Sequence, residues 1–136
     1  MSTTPLSPSP ELTERKPTIL VVEDELLIRM YISDSLRDCG FEILEASDGP
    51  EALTMLNAEM PIDLVFTDIT LPGQPDGFGL AQWVRAQKPA TPVILTSGRY
   101  DVNAARKLCK DEPFFVKPYD ISELAACIRT LLAGDS

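Results

Sequence analysis

Histidine is absent from this chain of 136 residues. That absence removes Ser-His-Asp and Cys-His catalysis and every zinc site that needs an imidazole. Cysteine is sparse: Cys39, Cys109 and Cys127 are an odd number with no CxxC spacing. They are expected to be reduced, partly buried thiols. Basic residues are scarce as well. Against 21 Asp and Glu stand 12 Lys and Arg, giving a formal net charge of −9, and no Lys/Arg run occurs. Phosphate backbones recruit Lys and Arg, so nucleic acid is not expected as a direct partner. No apolar run approaches the roughly 20 residues of a membrane helix, and no basic start leads into an apolar signal region. The expectation is a cytoplasmic protein with no membrane partner.

What is present fits a globular domain: 44% of residues are hydrophobic and 24% charged, and the length suits one domain with a proper core. Residues 1–16, with Pro5, Pro8 and Pro10 among Ser and Thr, read as a disordered N-terminal tail. From Pro17 to Gly134 apolar strands and helical periods alternate. Strands are expected at Thr18 to Val22, Phe41 to Ala46, Ile62 to Thr67, Pro92 to Thr96 and Phe114 to Val116. Helices are expected from Leu26 to Cys39, from Pro50 to about Ala58, from Phe78 to Gln87 and, more weakly, from Asp101 to about Cys109. A last helix is expected after Asp120, whose capping partner would be Glu123. Pro50 is expected at the first position of its helix. Continuous rather than alternating apolar strands imply a sheet covered on both faces. Helical crossovers then give a doubly wound, five-stranded parallel α/β sheet, with no output domain after the fifth helix.

Polar groups recur where the strands end. Glu23 and Asp24 follow the first strand, Asp68 the third, Thr96-Ser97-Gly98 the fourth and Lys117-Pro118 the fifth. In open parallel sheets ligands bind at this carboxyl edge. Each residue also has a plain reading: Asp24 as a helix cap, Lys117 as a solvated surface lysine, Ser97 as a turn former. Together they make a chemical set. Three carboxylates in one place repel one another and call for a cation; oxygen ligands without His or Cys suit Mg2+. A lysine and a hydroxyl suit the oxygens of a phosphoryl group. Asp68 is the candidate nucleophile, since a carboxylate can form an acyl phosphate.

The stretches "ILVVEDE", "DLVFTDITLPG", "TPVILTSG" and "FFVKP", in this order, resemble the CheY-like receiver domain of two-component response regulators, over roughly Pro17 to Ala133. The resemblance implies the flavodoxin-like (βα)5 receiver fold. It implies Asp68 as phosphoacceptor, and Glu23, Asp24, Asp68 and the backbone carbonyl of Thr70 as ligands of Mg2+. Ser97 matches the switch hydroxyl, with Thr96 as the alternative register, and Phe114 the aromatic switch position. Lys117 matches the lysine that bonds the phosphoryl oxygen, and Pro118 the proline that often follows a cis bond. The implied partners are a histidine kinase or histidine phosphotransfer protein and a downstream protein target. The implied role is a non-enzymatic, single-domain phosphoacceptor in a phosphorelay, with weak self-phosphorylation from small donors and autodephosphorylation. The rival readings are an interaction module with an idle pocket and an aspartyl phosphatase; the latter usually has a second acid where this chain has Thr70. Three features depart from the family pattern: Glu23 in place of the frequent Asp, one additional residue in Pro72 to Gly77, and a short connection through Cys109 to Pro113. Thr70 and Arg99 stand where the family varies and the acyl-phosphate lifetime is tuned.

Overall fold

The computed structural model describes residues 15–98 and 112–134. Of the expected tail at residues 1–16, residues 1–14 lie outside the described residues, as do the weak helix at Asp101 to Cys109 and Arg99; Arg15 is described, and its guanidinium stands 3.5 Å from the Asp63 carboxylate.

Five strands form one parallel sheet: β1 Thr18–Val22, β2 Glu42–Ala46, β3 Leu64–Asp68, β4 Val93–Ser97 and β5 Phe114–Val116. Their order is β2-β1-β3-β4-β5, and every neighbouring pair is parallel. Among the described residues four helices connect or follow them: α1 Leu26–Asp38, α2 Gly49–Asn57, α3 Gly77–Gln87 and α4 Ile121–Leu132. Every residue of β1, β3 and β4 is buried, as continuous apolar strands require when both faces are covered.

Strand side chains alternate between faces, and the two cores divide accordingly. Leu20, Val22, Val65 and Leu95 pack with Leu56 of α2 and Leu80 and Val84 of α3. Ile19, Val21, Phe66 and Ile94 pack with Ile32 and Leu36 of α1 and Leu124 and Ile128 of α4. Full burial of each such side chain stabilises the fold by roughly 1.5–3 kcal/mol.

Several boundaries differ from the sequence-based expectation, each for a local reason. β3 starts at Leu64 rather than Ile62, because the Asp63 carboxylate turns back to accept the Thr18 amide at 2.8 Å. β3 also runs through Asp68, which is a strand residue with its amide plane fixed by the ladder. Pro50 is the second residue of α2, not the first; Asp48 caps that helix by accepting the Glu51 amide at 2.8 Å. Asp120 caps α4 through the Ser122 amide at 2.8 Å. α1 stops at Asp38, and Gly40 reverses the chain at φ +98°, a left-handed conformation that glycine adopts without steric penalty.

Candidate functional site

β3 is the central strand, so Asp68 at its end emerges mid-sheet, flanked by the ends of β1 and β4. The next residue after β1 is Glu23, whose amide still bonds the Ala46 carbonyl of β2. Asp24 follows and is exposed, while Glu23 and Asp68 are buried. Oxygens of Glu23, Asp24 and Asp68 all lie within 4.8 Å of one another. The plain reading of Asp24 as helix cap fails. The N-cap of α1 is Glu25, without a side-chain bond, and no acid stands in the helix's first turn.

Lys117 follows β5 and enters the same space. Its ammonium donates to Glu23 Oε1 at 2.8 Å and to Asp68 Oδ2 at 2.8 Å. The second oxygen of each carboxylate is also engaged. Glu23 Oε2 accepts the Glu25 amide at 3.1 Å, and Asp68 Oδ1 accepts the Thr70 amide at 2.8 Å. Lys117 is therefore no surface lysine. Burial pushes the Glu23 carboxyl up; the Lys117 and Glu25 hydrogen bonds pull it back, the Asp68 charge adds to the rise, and the net shift is upward. For Lys117, burial favours the neutral amine, but the bonds and charges of Asp68 and Glu23 outweigh it and hold the ammonium above its ordinary range. One lysine among three carboxylates leaves the cluster net negative, which suits a further cation.

The cluster opens into a cavity of about 300 Å³ lined in part by Asp24, Glu25, Ile28, Asp68, Thr70 and Lys117. Its polar walls and all-oxygen acid set fit a hard divalent cation. The peptide bond before Pro118 is cis, as the resemblance implied, and so is the bond before Pro75.

The two candidate switch hydroxyls separate by strand face. Thr96 is the register partner of Asp68 and Phe115; Ser97 lies opposite Val116. Both are buried. Thr96 Oγ1 has no hydrogen-bond partner among the described residues. Phe114 is half-buried against the α2/α3 core, opposite Leu95.

The loop after β3 packs closely against the end of that strand and the start of α2. A Cβ at Gly77 would collide with the Asp68 carbonyl and the Ile69 backbone, and one at Gly49 with the Pro75 carbonyl. Gly77 thus lets the start of α3 run directly beneath Asp68, its amide bonded to the Ile69 carbonyl at 3.2 Å. Asp76 caps α3 through the Gly79 amide at 2.9 Å.

Three residues that pack against or bond to the site were not singled out from sequence. Gly77 is one. Arg29 is another: it donates to the Glu23 carbonyl at 2.8 Å and to Glu45 at 3.0 Å. Its signal was being the lone charge in Leu26–Ile32. Tyr119 is the third. Its ring meets Phe66 and Phe115 edge-on, at 5.8 and 5.9 Å. Burial, then the charges of Glu23 and Asp68, push its phenol up.

Comparison with known proteins agrees with this geometry. Residues 19–129 match the model of the response regulator receiver domain. A receiver protein from Sinorhizobium medicae superposes with a TM-score of 0.81 at 30% identity, covering 90% of this chain and 98% of that one. A probable transcriptional regulator of Cyanophora paradoxa, ycf27, is 38% identical over 90% of this chain and 50% of its own length. The transcriptional regulatory protein PdtaR of Mycobacterium tuberculosis is 36% identical over 82% of this chain and 54% of its own. The chain belongs to the response regulator receiver family, a signalling class built around an acid pocket at the carboxyl edge of a doubly wound sheet. It spans about half the length of these curated relatives. No helix among the described residues is long and apolar enough to cross a membrane.

Proposed function

We propose that Asp68 accepts a phosphoryl group from a phosphohistidine on a partner protein, with Mg2+ held by Asp24, Asp68, the Thr70 carbonyl and, directly or through water, Glu23. The observation that carries this reading is the joint placement of Asp24, Asp68 and Lys117 around one cavity, with the Glu23 carboxylate bonded to Lys117 and clustered with both acids. A carboxylate oxygen of Asp68 attacks phosphorus, a P–O bond forms, and the P–N bond to the donor imidazole breaks. The electron pair of that bond leaves with the donor. Mg2+ bound at this site would withdraw charge from the phosphoryl oxygens. Lys117, already beside Asp68, transfers a hydrogen bond to the incoming oxygens. The chain has no histidine, so the donor is another molecule: a histidine kinase or a phosphotransfer protein.

The new charge draws a buried hydroxyl inward, Ser97 in the first instance and Thr96 in the alternative register. Phe114 repacks behind it. A pre-existing equilibrium between two surface states shifts, and a protein target reads the change. A nearly complete shift, from 1:99 to 99:1, needs about a 10⁴-fold preference for one state.

The test is intact mass after incubation with Mg2+ and acetyl phosphate or phosphoramidate. Wild type gains one phosphoryl group and Asp68→Asn gains none. No adduct from either small donor or from a phosphorylated partner would leave only an interaction module with an idle pocket.

A further inference from the structure

Arg29 is buried along most of its length, with 16% of its side chain exposed, one turn into α1. Its guanidinium bonds a backbone atom of the site: Nη1 donates to the Glu23 carbonyl at 2.8 Å, and Nε donates to Glu45 Oε1 at 3.0 Å. The β1–β2 ladder ends at the Val22–Ala46 pair, with the Glu23 amide still bonded to the Ala46 carbonyl. Beyond it the chain turns into α2, whose N-cap is Asp48. The guanidinium takes the place of a further rung on the Glu23 carbonyl. Glu45 in turn is gripped from its other oxygen by Arg37, at 3.4 Å, on the more exposed side of α1.

The Glu23 carbonyl belongs to the peptide that leads into Asp24. Fixing that oxygen fixes the peptide plane, and so the direction in which Asp24 leaves the backbone. The next amide, that of Glu25, folds back onto Glu23 Oε2 at 3.1 Å. We propose that Arg29, clamped by Glu45, is a positioning residue for the acid pair: it pre-sets Glu23 and Asp24 in the arrangement that receives the divalent cation. This rests on the metal-site reading above.

The sign of the effect separates positioning from simple charge. Removing a cation near three carboxylates strengthens cation binding. Removing a residue that orients ligands weakens it, typically by 10–100-fold for outer partners of metal ligands. The two contributions act in opposite directions, so a net loss of affinity can come only from lost orientation.

The experiment is a calorimetric Mg2+ titration of wild type, Arg29→Gln and Arg37→Gln, each checked for a cooperative unfolding transition. Arg29→Gln is expected to bind Mg2+ about 10-fold more weakly, and Arg37→Gln, which leaves the carbonyl bond intact, within about 2-fold of wild type. Equal or tighter binding by Arg29→Gln overturns the proposal. Should Arg29→Gln not fold, Arg29→Lys keeps the charge but not the two-donor fork; it too binds more weakly, and wild-type affinity there overturns the proposal. Metal-free hydrogen exchange is the independent readout. The Glu25 amide exchanges faster in Arg29→Gln than in Arg37→Gln, and equal rates overturn the positioning role. Absence of Mg2+ binding by wild type overturns the metal-site reading instead, and exchange at Glu25 then decides the role of Arg29.

Discussion

Lys117 and Asp68 follow or end strands that do not touch in the sheet, since β4 lies between β3 and β5, yet their charged groups stand 2.8 Å apart. The ammonium reaches over the end of β4 and closes the acid cluster from above. Replacing it by methionine leaves two buried carboxylates without their cation. Breaking a buried pair by removing one partner costs about 3–5 kcal/mol. With Lys117 at 20% exposure, the expected loss is near the low end, about 3 kcal/mol, in urea unfolding of Lys117→Met without divalent ions. Mg2+ at 100 times its dissociation constant then restores about 2.7 kcal/mol. Unchanged stability in Lys117→Met would show that the two Lys117 ion pairs contribute nothing to the fold.

Gly77→Ala tests the loop beneath the nucleophile. The added methyl group meets the Asp68 carbonyl and the Ile69 backbone, neither of which can rotate away. Overpacking costs about 1–3 kcal/mol or more, and here the relaxation would displace Asp68 itself. Expected are a lower melting temperature and slower phosphorylation from acetyl phosphate. Wild-type values for both would mean that α3 can start further from β3 at no cost.

The two faces of α1 should respond oppositely to truncation. Leu36 is fully buried and Leu27 is 78% exposed. Leu36→Ala is expected to cost about 2–5 kcal/mol, whereas Leu27→Ser stays within about 0.5 kcal/mol. Denaturant midpoints at equal m-value decide it. A large loss in Leu27→Ser would reveal a partner for that side chain within the folded chain.

Acid titration has a predictable sign at Glu51. The Ser47 amide, then the Ser47 hydroxyl, hold its carboxyl below its ordinary 4.5. A carboxyl group lowered in the folded state contributes stability above its unfolded value and loses it as pH falls through the folded one. Glu51→Gln should therefore be less stable than wild type at neutral pH, and the gap should close well below pH 4.5. A gap that persists in acid would assign the effect to packing of the side chain rather than to its charge.

Most of the sheet was legible because its strands are continuous apolar runs, and Asp68, Asp24 and Lys117 because polar residues at strand ends stand out against them. The ends of β3 were less legible. Whether Ile62 joins the strand depends on where Asp63 sends its carboxylate, and that bond reaches Thr18, 45 positions away. Arg29 was hidden for the same reason: its partners are the backbone carbonyl of the residue that follows β1 and a glutamate on β2, and no local pattern records them. Gly77 reads as one more turn glycine until the Asp68 carbonyl is placed beside it. Lys117 was read as a group for phosphoryl oxygens, and the structure adds that it also neutralises Glu23.

Tyr119 lies edge-on to Phe66 and Phe115, with its phenol in the field of Glu23 and Asp68. A ring so placed is a chromophore wired to the charge of the acid cluster. A cation or a phosphoryl group bound at that cluster would change the field across the ring. Such loading is expected to be readable as a tyrosine difference spectrum that is lost in Tyr119→Phe.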